Sequence, residues 1–211
     1  MLSVSLLSPI LIFLATLLYG LLHSVLASLE AKALAQRWFG PVADRFYRLG
    51  YNLLASLSLL PLLALPALLP DRRLYVIPYP WILLTTAIQG LALLGLIIGL
   101  LQTGPWSFLG LQQLYRPENI KTQKLVIRGL YRWVRHPLYT TGLLFIWLAP
   151  VMTINLLALI FSLSLYLVVG AHVEERKLIL EFGQTYRDYQ ERTPMLIPCK
   201  PPIPVEKDET T

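Results

Sequence analysis

The sequence predicts an all-α integral membrane helical bundle with about five transmembrane helices. Of the 211 residues, 55% are hydrophobic and only 14% are charged. The uncharged stretches also have the length of membrane spans. A chain of this size is expected to form one bundle. Basic residues beside the spans explain the net charge of +6, so we expect no nucleic-acid partner.

The first three predicted spans are uncharged stretches with charged residues between them. Span one covers about residues 6–27, span two 49–70 and span three 81–101. Span one is longer than a signal peptide and no basic residue precedes it, so we expect it to be retained. Pro61 and Pro66 predict a kink in span two, which membrane helices tolerate.

The last uncharged stretch, residues 137–173, is too long for one span. A single helix would reach roughly 55 Å, whereas the hydrocarbon core is about 30 Å thick. Pro150 and Asn155 predict a turn in its middle, so we divide it into spans four and five, each slightly short. The two spans form a C-terminal helical hairpin, and a hairpin brings its two ends together.

The chain is divided at residues 110 and 198. Residues 1–110 hold spans one to three, and residues 111–198 hold the hairpin and a surface helix that ends before Pro194. Residues 199–211 are expected to form a loose tail, in which Cys199 is the single cysteine. Apolar residues at helical spacing predict the surface helix: Leu178, Ile179, Phe182, Tyr186 and Tyr189.

Basic residues predict the orientation of the bundle. All but two of the 18 Lys and Arg residues lie in the loops after spans one and three and in the tail. The exceptions, Arg72 and Arg73, follow span two. The positive-inside rule then places the N-terminus outside and both ends of the hairpin on the cytoplasmic face.

Titratable residues stand at the start of the hairpin. His136 and Tyr139 lie three positions apart and share a helix face, and Pro137 suits the first helical turn. Arg135 and His136, taken alone, are also typical of residues that anchor a span in the lipid headgroups.

A pair of carboxylates, Glu174 and Glu175, stands at the other end. The pair suggests a cationic partner, for which Arg135, Arg176 and a bound positive ligand are the alternatives. Glu residues are also favourable at the start of an amphipathic helix. Charged groups beside lipid are costly and usually functional, so their presence at both ends of one hairpin favours a site.

Several separated motifs resemble the isoprenylcysteine carboxyl methyltransferase and phospholipid N-methyltransferase superfamily. The resemblance covers roughly residues 115–198 and implies a membrane methyltransferase that uses S-adenosylmethionine. The motifs are Leu125-Val126, Gly129-Leu130-Tyr131, Arg135-His136-Pro137-Leu138-Tyr139, Glu174-Glu175 and residues 181–189. One departure is Thr141, which stands where many members have Gly.

The resemblance implies roles for individual residues. Glu174 would hold the polar end of the cofactor, with Glu175 beside it. The expected cofactor pocket is lined by Leu125, Val126 and Tyr131 and walled by His136, Pro137 and Tyr139. We assign His136 and Arg135 as candidate catalytic residues, with His172 as an alternative base, and we assign no metal site.

The N-terminal half resembles the superfamily more loosely, through His23-Ser24-Val25-Leu26 and Arg48-Leu49-Gly50-Tyr51. Some bacterial relatives with such a pattern act on small thiols, and others have been linked to haem. Two alternatives therefore stay open. One is an NADPH-dependent membrane reductase of the sterol-reductase type, and the other is a haem protein that uses His23 with His136 or His172. A small transporter is a further alternative, but it would need charged residues inside the spans to mark a transport pathway, and the predicted spans lack them.

Gly170 bears on the methyl acceptor. In eukaryotic members an Arg stands four residues before the first Glu and pairs with the carboxylate of the acceptor. Here Gly170 has that position, and His172 points to another helix face. The expected partners are therefore membrane lipids and a lipophilic or small-thiol acceptor, and not a prenylated cysteine carboxylate.

Overall fold

A computed structural model describes residues 2–115 and 125–204. This part of the chain is an almost entirely helical bundle with one antiparallel pair of short strands. Its α-helices are α1 (Leu2–Leu26), α2 (Leu29–Phe39), α3 (Pro41–Leu68), α4 (Trp81–Gln102), α5 (Pro105–Leu109), α6 (Leu111–Tyr115), α7 (Pro137–Trp147), α8 (Ile154–Phe182) and α9 (Gln184–Arg192). The strands are β1 (Arg73–Val76) and β2 (Val151–Thr153), and Gly129–Arg132 form a 3-10 turn.

Four helices are long and apolar enough to cross a membrane: α1 from Leu6 onward, α3, α4 and α8. These four segments are 21, 28, 22 and 29 residues long, and about 20 residues at 1.5 Å each are enough to cross the hydrocarbon core. Leucines on their outer surfaces are exposed, as expected for side chains that contact lipid. The all-α membrane bundle is confirmed; α4 has the predicted bounds to within one residue, whereas α1 ends one residue before the predicted span and begins four residues before it.

The fourth predicted span is wrong in length. The turn near Pro150 is confirmed, but α7 has only 11 residues and reaches about 16 Å. Its helix ends at Trp147 because Pro150 disfavours continuation, and β2 follows at Val151–Thr153. The fifth predicted span is not short, since α8 has 29 residues and begins at the N-cap Thr153.

The pairing of β1 with β2 joins the α3–α4 connection to the α7–α8 connection. Asn155 lies inside α8, where its backbone N–H donates to Asp71 Oδ1 at 3.1 Å and its amide donates to Pro70 O at 3.1 Å. These bonds hold the two connections together at one end of the bundle. They also give hydrogen-bond partners to the Asn155 N–H and the Pro70 carbonyl, and non-helical backbone near a membrane needs such partners.

Helix α7 packs antiparallel to α4, and small residues allow the close approach. A Cβ at Gly95 would lie 2.9 Å from Thr141 Cγ2, and one at Gly99 would lie 3.1 Å from Leu138 Cδ2. Such small residues are typical of membrane helix interfaces. The contact places the start of α7 beside the end of α4, at the end of the bundle opposite the strands.

The ends of α1 and α8 lie at this same end, where Lys177 Nζ donates to Ala27 O at 3.3 Å. The predicted surface helix is divided, since α8 continues to Phe182, Gly183 follows with φ +57°, and α9 begins. The tail is hydrogen bonded as far as Ile203, whose N–H donates to Arg132 O. Four of the basic residues counted above lie outside the described residues: Arg116, Lys121, Lys124 and Lys207.

Candidate functional site

The 3-10 turn leads the chain to the start of α7. Gly129 has φ +60°, and a Cβ there would lie 2.0 Å from the Gln102 amide nitrogen, so only glycine fits. Gln102 Oε1 accepts from Leu130 N at 3.1 Å, which fixes the turn on the end of α4. His136 is then the N-cap residue of α7, with Pro137 buried in its first turn.

Arg135 and Glu175 form a buried ion pair that joins α7 to α8. Arg135 Nε lies 2.6 Å from Glu175 Oε1, and both side chains are about one-tenth exposed. Arg135 Nη1 donates to the carbonyls of Gln190 and Thr193, and Gln190 Nε2 donates to Glu175 Oε2 at 2.8 Å. These bonds satisfy both charges, as a buried pair requires.

Glu174 is adjacent in the chain but is placed differently. Its side chain is 47% exposed, and Oε2 accepts from the Tyr139 hydroxyl at 2.9 Å. His136 Nδ1 approaches the same oxygen at 3.7 Å, which is too long for a hydrogen bond. An ionised carboxylate has about four acceptor positions, so Glu174 keeps capacity for a further donor or cation.

His136 lies between the two carboxylates. Its Nε2 is 3.3 Å from Glu175 Oε1, and its ring stacks on Tyr139 with centroids 5.3 Å apart and planes 5° apart. Burial lowers the pKa of His136, although the charges of Glu174 and Glu175 act in the opposite direction. Burial therefore favours the neutral imidazole, and its Nε2 donates to Glu175 in the tautomer that carries the proton on Nε2, because a carboxylate can only accept.

Tyr131 lies in the 3-10 turn, half-buried, near the carboxylates. Burial and the charge of Glu174 raise the pKa of Tyr131 to about 12, so its phenol stays protonated. Its carbonyl accepts from the Tyr189 hydroxyl at 2.5 Å. The stacked rings of Tyr139 and His136 form an aromatic surface beside Glu174.

Helix α9 and the segment after it complete the site, and sequence analysis missed this. Tyr186 and Tyr189 are buried rather than facing lipid headgroups. Beyond α9, residues 194–196 run beside the start of α7, where Arg135 N donates to Pro194 O at 2.9 Å and His136 N donates to Met195 O at 3.1 Å. The helical spacing of the tyrosines gave a signal, but no pattern identified Gln190 or the 194–196 segment.

Other predicted residues lie around the site. Leu125 and Val126 are half-buried in the irregular segment before the turn. His172 is exposed and its Nδ1 donates to Val168 O at 2.8 Å within its own helix. A Cβ at Gly170, one helical turn before Glu174, would have open space around it. The structure therefore brings together Arg135, His136, Tyr139, Glu174 and Glu175, and it leaves His172 apart.

Comparisons with known proteins identify the family of the chain. The profile of the phospholipid methyltransferase family matches residues 85–185, which include most of α4 and all of α7 and α8. Two methanethiol S-methyltransferases of Bradyrhizobium diazoefficiens are 35% and 32% identical to the chain. The first alignment covers 86% of this chain and 70% of that protein, and the second covers 87% and 64%.

A methanethiol S-methyltransferase of Mycobacterium tuberculosis is 30% identical over 85% of this chain and 74% of its own length. No solved structure matches the chain significantly. The chain therefore belongs to the phospholipid methyltransferase family of membrane methyltransferases.

Proposed function

We propose that this protein transfers a methyl group from S-adenosylmethionine to a small, lipophilic thiol. The observation that carries the proposal is the position of Glu174, a half-exposed carboxylate with free acceptor capacity beside Tyr139 and His136. A carboxylate next to aromatic faces suits a ligand that carries positive charge.

The residues fit the proposed cofactor in type and charge. Glu174 would accept from the amino group of S-adenosylmethionine, and the aromatic faces of Tyr131 and Tyr139 would lie beside its cationic part. When bound, this cofactor supplies an already activated methyl group. The protein then has to bind, align and exclude water. The apolar Leu125 and Val126 are proposed to cover the non-polar part of the cofactor.

Arg135 and Glu175 are proposed as positioning residues. The guanidinium already donates to Glu175 and two carbonyls, so its charge is committed within the protein. The pair holds α7, α8 and α9 together, and with them the neutral His136 and its stacking partner Tyr139. His136 is proposed to form the wall of the site and to contact the reactants directly.

A thiol acceptor is favoured by the relatives, which are named methanethiol S-methyltransferases, and by the open space at Gly170, which provides no cation for an acceptor carboxylate. A lipid headgroup is the second candidate, because the matching family is named for phospholipid methyl transfer. The family does not favour the reductase and haem alternatives. His172 and His136 do not favour them either, because each already has a separate partner, Val168 O and Glu175.

We further propose that the site faces the cytoplasm. Of the 14 Lys and Arg residues in the described part of the chain, 12 belong to segments at the Glu174 end of the bundle, and Arg72 and Arg73 lie at the strand end. The test of the proposed function is methyl transfer by purified protein in nanodiscs, with radiolabelled S-adenosylmethionine and either methanethiol or phosphatidylethanolamine as acceptor. Turnover of methanethiol is expected. If only the lipid is labelled, the acceptor is the lipid headgroup and not a thiol.

A further inference from the structure

A second polar cluster lies inside the bundle, on the membrane side of the carboxylate site. His23 of α1 and Tyr51 of α3 are joined by a hydrogen bond between His23 Nε2 and the Tyr51 hydroxyl. The Tyr51 ring centroid is 4.8 Å from that of His23. Tyr19 stacks on the imidazole at 5.7 Å, and Tyr166 of α8 meets its edge at 5.9 Å.

Three members of the cluster, Tyr19, His23 and Tyr51, line an apolar cavity of about 420 Å³ between α1 and α3. Among its other lining residues are Leu18, Leu22, Leu54 and Ser58. The three leucines are more than half exposed on the outer surface, which is the surface that meets lipid. A lipophilic solute dissolved in the membrane can therefore enter the cavity sideways.

The second nitrogen of His23 is a buried atom that has no hydrogen-bond partner among the described residues. Leaving such a group without a partner costs free energy, and exceptions of this kind call for an explanation. The cluster also lies near the carboxylate site, because Tyr166 of the cluster and Glu174 belong to the same helix, α8, and are about 12 Å apart along its axis. The Tyr139 hydroxyl donates to Glu174.

We propose that this cavity binds the thiol acceptor and that the Tyr51–His23 pair removes its proton. The proposal rests on the proposed function and adds the acceptor site to it. As the thiol S–H bond breaks, its proton passes to the Tyr51 oxygen while the Tyr51 proton passes to His23 Nε2. The sulfur forms a bond to the methyl carbon as the bond from that carbon to the sulfonium of the donor breaks. His23 later releases the extra proton to water.

The test compares the parent with His23→Gln and Tyr51→Phe in nanodiscs. Rates of methyl transfer to a small alkyl thiol are measured from pH 6.5 to 10. General base catalysis contributes about 10²–10⁴-fold, so each variant is expected to lose at least about tenfold at pH 7. The loss should shrink as the pH rises, because a thiol that is already ionised needs no base. A purely structural role would lower the rate equally at every pH.

The matched control is His172→Gln, which alters an exposed histidine at the same end of the bundle and should leave the pH profile unchanged. Ser58→Phe adds bulk to the cavity wall and should raise KM for longer thiols without changing S-adenosylhomocysteine binding. Binding of S-adenosylhomocysteine by the variants shows that they are folded. If His23→Gln does not fold, the pH profile of Tyr51→Phe alone tests the proposal.

Two failures are distinguishable. A parent that binds no S-adenosylhomocysteine and methylates no thiol would overturn the proposed function. A parent that methylates thiols, with His23→Gln and Tyr51→Phe matching it at every pH or falling by a constant factor, would overturn only the acceptor site proposed here.

Discussion

Glu174 and Glu175 are neighbours in α8, yet Glu175 is bonded to Arg135 inside the protein, whereas the Glu174 side chain is 47% exposed. The difference follows from the helix geometry, because successive residues point about 100° apart. One carboxylate is satisfied by the protein and the other keeps acceptor capacity. The two residues should therefore respond differently to the same substitution.

Glu174→Gln should weaken S-adenosylhomocysteine binding with little change in stability. A hydrogen bond to a charged group contributes about 1.5–3 kcal/mol, and the exposure of Glu174 favours the lower end of this range. Calorimetry with purified protein measures the loss, which should be at least about tenfold in Kd. The control Glu181→Gln changes an exposed carboxylate of the same helix, and an equal effect from both would remove Glu174 from the cofactor site.

Glu175→Gln should instead destabilise the fold. Breaking a buried pair by removing one charge costs about 3–5 kcal/mol, because the other charge stays buried without its partner. Thermal unfolding should show a much larger fall for this variant than for the exposed control Glu191→Gln. The double variant with Arg135→Gln should be less unstable than the two single losses added together. Simple additivity would contradict the ion pair.

Stability should fall as the pH drops below about 6.5, the ordinary pKa of histidine. Folding lowers the pKa of His136 because the ring is buried. Between the lowered and the ordinary pKa, the unfolded chain binds a proton that the folded chain does not, so unfolding becomes easier with falling pH. The difference in melting temperature between pH 7.5 and 5.5 should be smaller in His136→Gln than in the parent or in His172→Gln.

The protein should not methylate a farnesylcysteine analogue. The position that would supply a cation for the acceptor carboxylate is Gly170, and a buried carboxylate without a cation is strongly disfavoured. Because a Cβ at Gly170 has open space, Gly170→Arg is expected to fold and to gain affinity for the analogue. Competition against thiol methylation measures that affinity, and the methyl ester of the analogue is the control. Efficient turnover of the analogue by the parent would contradict this view of Gly170.

The N-terminus should lie outside and the C-terminus inside. The basic segments at the Glu174 end predict this orientation, which requires α7 with its short helix to contribute a fifth crossing beside the four long helices. A reporter that is active only in the cytoplasm, fused to the C-terminus, measures the orientation. The same reporter placed after Arg72 is the control and should be inactive. Activity of the C-terminal fusion outside the cell would show that the count or the orientation is wrong.

The sequence predicted those features that chain connectivity and local composition determine. Spans one and three follow from uncharged length, and the meeting of Arg135 with Glu175 follows from the hairpin that joins them. The short α7 did not follow, because hydropathy does not reveal that β2 pairs with β1, about 80 residues earlier. The hydrogen bonds of Gln190 to Glu175 and Arg135 could not be predicted from the sequence either, because they depend on how α9 packs on α8 beyond Gly183.

The most direct measurement of the central claim is calorimetry of the purified protein with S-adenosylhomocysteine, NADPH and haem, each added separately. The protein is expected to bind S-adenosylhomocysteine, more weakly after Glu174→Gln, and not to bind NADPH. Well-folded protein that binds NADPH and not S-adenosylhomocysteine would contradict the account.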